Sequence, residues 1–143
     1  MHMQLPGVAT TLLFSNRLIA VLMVSICSVG WADPRADYLL HCGGCHLPNG
    51  IGNPPEVPSL RTDLGRIAQS AAGRDYLVRV PGAAQAQASD EQLAQIINWV
   101  LHEFNQDSLD PTFEPLTAQE VGESRKHVLA DPLAYRSRLW PQY

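Results

Sequence analysis

Cys42-Gly43-Gly44-Cys45-His46, preceded by His41 and followed by Leu47-Pro48-Asn49-Gly50, is the stretch on which the reading of this chain turns. Two thiols three residues apart fall on one face of a helical turn, and an imidazole follows directly. Gly43 and Gly44 put no side chain between the sulfurs, so the backbone can lie close to whatever the thiols bind. A helix leads into the stretch. Asp33 is placed to cap it, and Pro34 suits the first helical position, where its missing N–H is no loss. Tyr38 and Leu39 are expected to face inward from that helix.

A C-x-x-C-H run is the pattern that attaches c-type haem. The spacing lets both sulfurs reach the two vinyl groups along one porphyrin edge, so Cys42 and Cys45 are the candidate thioether residues and His46 the candidate axial ligand to iron. Two other chemistries use a C-x-x-C. A zinc site usually adds a second such pair or a close pair of histidines, and here His41, His102 and His127 are scattered. A dithiol redox pair follows a buried strand, whereas residues 33–40 are polar at first and helical in pattern. The haem reading is the strongest of the three.

The chain has 143 residues, 45% hydrophobic and 17% charged, with no low-complexity tract, which bounds it to one modest globular domain. A net charge of −4 with no basic stripe argues against nucleic acid as a partner. Residues 1–32 read as a secretory signal: Arg17 closes the leading region, 18–26 is apolar, and Gly30-Trp31-Ala32 offers small residues for cleavage. That run is shorter than the roughly 20 apolar residues of a membrane span, so membrane attachment is expected only if the signal stays uncleaved. Cys27 falls within it, leaving Cys42 and Cys45 to the exported chain. Haem of the c type is attached outside the bacterial cytoplasm, so signal and motif support each other and place the protein in the periplasm.

Beyond His46, residues 47–60 contain Pro48, Gly50, Gly52, Pro54, Pro55 and Pro58, a composition that precludes helix and central strand alike. Short helices are expected over about 62–70 and 73–80, the second ended by Pro81-Gly82. Residues 83–88 are a small, polar connection. Ser89-Asp90-Glu91-Gln92 then opens a capped helix whose Leu93, Ile96, Ile97, Val100 and Leu101 recur at helical spacing through Phe104. Its Trp99 and Phe104 are expected to pack on the first helix. After a linker over 105–114, Thr117 and Asp131-Pro132 start two more helices, ending near His127 and Leu139. This extension is too apolar for a solvated tail, and should dock on the domain or on a partner.

Residues 34–105 resemble the monohaem class I c-type cytochrome family. They share its order of parts: a first helix ending in Cys42-Gly43-Gly44-Cys45-His46, a loop with Gly50 and Pro58, short helices, and a last helix bearing Trp99. The resemblance implies an all-α, small cytochrome c-like helical domain (33–105) wrapped around one covalently bound haem c, with a helical C-terminal extension (106–143). It also implies that the Pro58 carbonyl hydrogen-bonds the His46 imidazole. The implied function is single-electron transfer with redox partner proteins, a dehydrogenase or an oxidase, by a carrier rather than an enzyme. One departure stands out. The family draws its sixth iron ligand, a methionine, from the loop before the last helix, but Met1, Met3 and Met23 all lie in the signal. Gln85 and Gln87 are the polar residues of that loop. His127 could reach over, whereas His102 reads as a surface or packing residue and His41 as a neighbour of the porphyrin edge. An open sixth position leaves a second reading, a haem-based ligand-binding or sensor protein, and a weaker third, a peroxidase, for which the loop offers no acid-base histidine or arginine.

Overall fold

In a computed structural model, the described residues are 33–141, so the segment expected as a signal lies outside them. The first helix, α1 (Pro34–His41), begins as the sequence dictates: the Asp33 carboxylate accepts the Arg35 N–H at 3.0 Å and Pro34 occupies the first turn. Cys42 closes α1 by donating its N–H to the Tyr38 carbonyl, and its own carbonyl accepts from Cys45 and His46, starting α2 (Gly43–His46). The two thiols therefore frame a single turn, with the imidazole at its end.

Residues 47–63 are irregular, as the prolines require, and are pinched by an isolated bridge between Asn53 and Val57. The chain doubles back at Gly52, whose φ of +68° suits glycine and where a Cβ would stand 2.5 Å from the Val57 carbonyl oxygen. Then follow α3 (Leu64–Ile67), α4 (Ala71–Arg79), α5 (Pro81–Ala84), α6 (Asp90–Phe104), α7 (Ala118–Ser124) and α8 (Pro132–Leu139).

Three boundaries differ from the sequence expectation, each for a local reason. The helix expected over 62–70 shrinks to α3, because Thr62 takes a positive φ and Ser70 turns extended to cap α4 through the Gly73 N–H. Pro81-Gly82 opens a turn of its own: Val80 breaks α4 with ψ 138°, and Pro81 takes the first position of α5. Helix α7 stops at Ser124, capped by Arg125, short of His127.

The core forms around α6. Its capping box is present as expected, Ser89 and Gln92 exchanging hydrogen bonds of 3.1 Å, and its periodic Leu93, Ile96, Ile97, Val100 and Leu101 are buried. Helix α1 lies against it through Tyr38, which is fully buried with its ring 5.1 Å from Trp99 and 5.6 Å from Phe104. Burying an aromatic of this size contributes about 2 kcal/mol or more. Leu39, expected to face inward, is 42% exposed. One residue advances a helix by about 100°, so with Tyr38 aimed at α6 its neighbour turns away.

Residues after Asn105 dock on this core. The Asn98 side chain of α6 answers both backbone groups of Leu116, at 2.8 and 2.9 Å, and Val121 is fully buried. Arg74 of α4 grips both carboxylate oxygens of Glu120 at 2.6 and 2.7 Å. Helix α8 and the residue after it lay Tyr135 and Trp140 against Tyr76 of α4, with ring centres 6.0 and 5.7 Å away. The architecture is all-α and cytochrome c-like, with no strand among the described residues. No described helix is long and apolar enough to cross a membrane.

Candidate functional site

Beside α2 a cavity of about 540 Å³ opens among the helices, within the roughly 300–1,000 Å³ range of ligand pockets. Cys42, Cys45 and His46 all border it, so the structure brings the three sequence-derived site residues to one wall. Pro58 and Leu60 form a second wall, and Tyr76 and Leu77 of α4 with Leu93, Ile96, Ile97, Val100 and Leu101 of α6 form a largely apolar third.

His46 is held by a bond to the Pro58 carbonyl, Nδ1 to O at 3.0 Å. A carbonyl only accepts, so Nδ1 carries the hydrogen and Nε2 keeps its lone pair. Burial pushes the imidazolium below the usual histidine pKa, and the Pro58 bond opposes this. The neutral ring that results is the form that ligates a metal.

Burial, and secondarily the neighbouring Cys45, raises the Cys42 thiol to about 11. Catalytic dithiols show the opposite, a depressed pKa that supplies thiolate at neutral pH. Zinc fares no better, because no group of three or more His, Cys, Asp and Glu side chains among the described residues could hold a metal ion. A haem fits what is present: two thiols one turn apart, an oriented neutral imidazole and a predominantly apolar chamber.

The loop that carries Pro58 is fixed from several sides. The Tyr38 hydroxyl donates to the Leu47 carbonyl at 2.6 Å, and the Gly52 N–H to the His46 carbonyl at 2.9 Å. Asn105, read from sequence as the start of a linker, is buried. Its Nδ2 donates to the carbonyls of Leu60 (2.9 Å) and Val100 (3.2 Å), and its Oδ1 accepts the Leu64 N–H at 3.1 Å. An asparagine just past a helix is a recognisable terminator, but partners some 40 residues away leave no sequence signal.

The remaining candidates separate clearly. His41 borders the cavity. His127 is exposed and absent from the wall, its carbonyl taken by Arg79 Nε at 2.6 Å. His102 is exposed with its ring 6.2 Å from that of Phe113, and Gln85 and Gln87 are exposed away from the wall. The segment before α6 instead presents Val80, Pro81, Gly82 and Ala83 to the cavity. Its continuation is tied down by Arg125, which donates to the carbonyls of Ala84 (3.1 Å), Ala86 (2.8 Å) and Ala88 (2.9 Å) and to the Asp90 carboxylate (2.9 Å). Sequence reading missed this residue, and missed that Asp131, Leu133 and Arg136 of the last segment enter the wall.

No protein-family model matches the chain. It is similar to a cytochrome c-552 from one strain of Thermus thermophilus, 29% identical over 142 residues covering 85% of this chain and 95% of that protein. It is also 30% identical over 118 residues to another cytochrome c-552 of Thermus thermophilus, covering 68% of this chain and 90% of the relative. The helical fold and the shared sequence agree, and the chain belongs to the c-type cytochromes.

Proposed function

We propose that the protein is a monohaem cytochrome of class I, exported to the periplasm after removal of residues 1–32, that carries single electrons for a dehydrogenase or an oxidase. Cys42 and Cys45 are the thioether residues, His46 is the axial ligand, 33–105 is the haem-bearing domain and 106–143 its docked extension. The observation that carries this reading is the His46–Pro58 hydrogen bond beside a cavity bordered by both cysteines. When bound, haem c supplies an iron that gains or loses one electron.

The chain's own residues do the rest. Pro58 fixes the His46 tautomer and raises its basicity as a ligand, while the leucines and isoleucines of α6 keep water from the chamber. Cys45 is exposed, with Leu40 and Leu47 exposed nearby in sequence, which supports transient docking at that edge through the small interfaces typical of redox encounters.

Denaturation and acid–acetone extraction test the proposal. The wild-type protein should keep its haem, the double variant Cys42→Ala, Cys45→Ala should lose it, and His46→Ala should change the spectrum where His102→Ala does not. Haem that washes out of the wild type would refute it.

A second reading, a ligand-binding haem protein, is favoured by the wall of Val80, Pro81, Gly82 and Ala83, none of which offers an iron ligand. Rapid carbon monoxide binding by the reduced protein, with a high-spin ferric spectrum, would select it.

A further inference from the structure

Helix α8 places a guanidinium with an unanswered donor in the cavity wall. Arg136 is 14% exposed, and its Nε is buried without a hydrogen-bond partner among the described residues. The carboxylate it approaches, Asp63, lies 3.8 Å from Nη2, too far for a good hydrogen bond, and Asp63 also stands 3.7 Å from Arg66. A buried cation so weakly answered is costly unless a further anion meets it. Among the described residues, Arg136 is the one lysine or arginine in the wall. The wall's own carboxylates, Glu56 and Asp131, do not pair with it.

Its position narrows what that anion is. On one side Arg136 shares a shallow hollow with Pro58, Ser59 and Asp63, in the loop that holds His46. On the other it borders the main cavity together with Tyr76 of α4. Arg136 therefore stands where the two hollows meet. A porphyrin tethered by its vinyl edge carries its two carboxylates on the opposite edge, and a guanidinium fork matches a carboxylate with two parallel N–H donors.

We propose that Arg136, seconded by Tyr76, holds a haem propionate, so that the C-terminal segment completes the haem site; the proposal rests on the haem reading above. Arg136 answers a negative charge that an apolar chamber would otherwise take in unpaired. Tyr135 and Trp140, packed on Tyr76, anchor α8, which carries Arg136, to α4.

Full-length holoprotein carrying Arg136→Leu, Arg136→Lys or Tyr76→Phe is the test. Covalent haem content, the propionate-bending band in resonance Raman spectra, the midpoint potential and the ferrous carbon monoxide stretch are compared with wild type. Arg136→Leu should keep its haem, shift the propionate band and lower the potential, because loss of a positive charge favours ferric iron. Arg136→Lys should retain most of the potential with a smaller band shift, Tyr76→Phe should shift the band slightly, and the carbon monoxide stretch should stay put.

An unmoved propionate band in Arg136→Leu overturns the proposal, even if thermal stability falls, since a packing role predicts that result. A moved carbon monoxide stretch with an unmoved band overturns it too, by placing Arg136 over the iron. Should Arg136→Leu fail to accumulate, unchanged bands in Arg136→Lys and Tyr76→Phe are decisive against it. A wild type without covalent haem sinks the haem reading and this proposal together, whereas haem present with an unmoved band sinks this proposal alone.

Discussion

Asn105→Ala strikes the joint between the loop that holds His46 and the helix behind the cavity. The substitution removes the acceptor of the Leu64 N–H and the donor to the Leu60 carbonyl, both of residues that border the cavity. Leu64 is 5% exposed, so water cannot readily replace the lost partner. An orphaned buried N–H costs about 1–3 kcal/mol and a lost bond to a less enclosed carbonyl about 1 kcal/mol. The Val100 carbonyl loses a third, longer bond at 3.2 Å but sits in the interior of α6, where the helix ladder serves it. The sum is about 2–4 kcal/mol, which at roughly 4 °C per kcal/mol lowers the melting temperature by about 8–16 °C. Thermal unfolding of the holoprotein followed by circular dichroism measures it, and hydrogen exchange at the Leu64 amide reports whether the site itself loosens. A melting temperature within about 3 °C of wild type, with the Leu64 amide still protected, would refute the reasoning.

Gly73→Ala should be among the most damaging small substitutions, by about 3 kcal/mol or more, because its Cβ would overlap the Ile67 carbonyl where α3 abuts α4; a denaturant melt checks this. Arg125→Ala frees three carbonyls of residues 84–88, so amide exchange there should quicken at least tenfold while the centre of α6 stays protected. Glu120→Gln should destabilise by roughly 1 kcal/mol near neutral pH. The Arg74 hydrogen bonds hold Glu120 below its ordinary pKa of 4.5, so the stability it contributes is present above 4.5 and lost as pH falls through the lower folded-state value. Wild-type and Glu120→Gln melting curves should therefore converge in acid; a gap that persists there would count against the fork.

What was legible in the sequence is what is encoded locally. The caps at Asp33, Ser89, Thr117 and Asp131 each bond an N–H two or three residues ahead, and the buried face of α6 repeats along one helix. The C-x-x-C-H run is local as well, so its three side chains were certain to lie together whatever the rest of the chain did. Errors fall where a residue's conformation is decided by a distant partner or by backbone geometry without a strong composition signal. Thr62 and Ser70 shorten α3 through their dihedral angles, and Leu39 turns outward because Tyr38 takes the inward direction.

The far side of the cavity was the least legible part, and the reason is physical. Residues 33–143 contain no methionine, but that absence does not say what holds the segment before α6 in place. Here the answer comes from beyond the last helix of the core. Arg125 binds backbone carbonyls, which every residue has, so alanines at 84, 86 and 88 serve as well as any other side chains and mark nothing in the sequence. Loop carbonyls turned toward a guanidinium are turned to a fixed place, and the wall that Val80 to Ala83 present to the cavity inherits that rigidity. The docked extension thus positions the segment before α6 by hydrogen bonds to backbone, and burial of its Leu116, Val121 and Leu129 in the core provides the platform from which Arg125 acts.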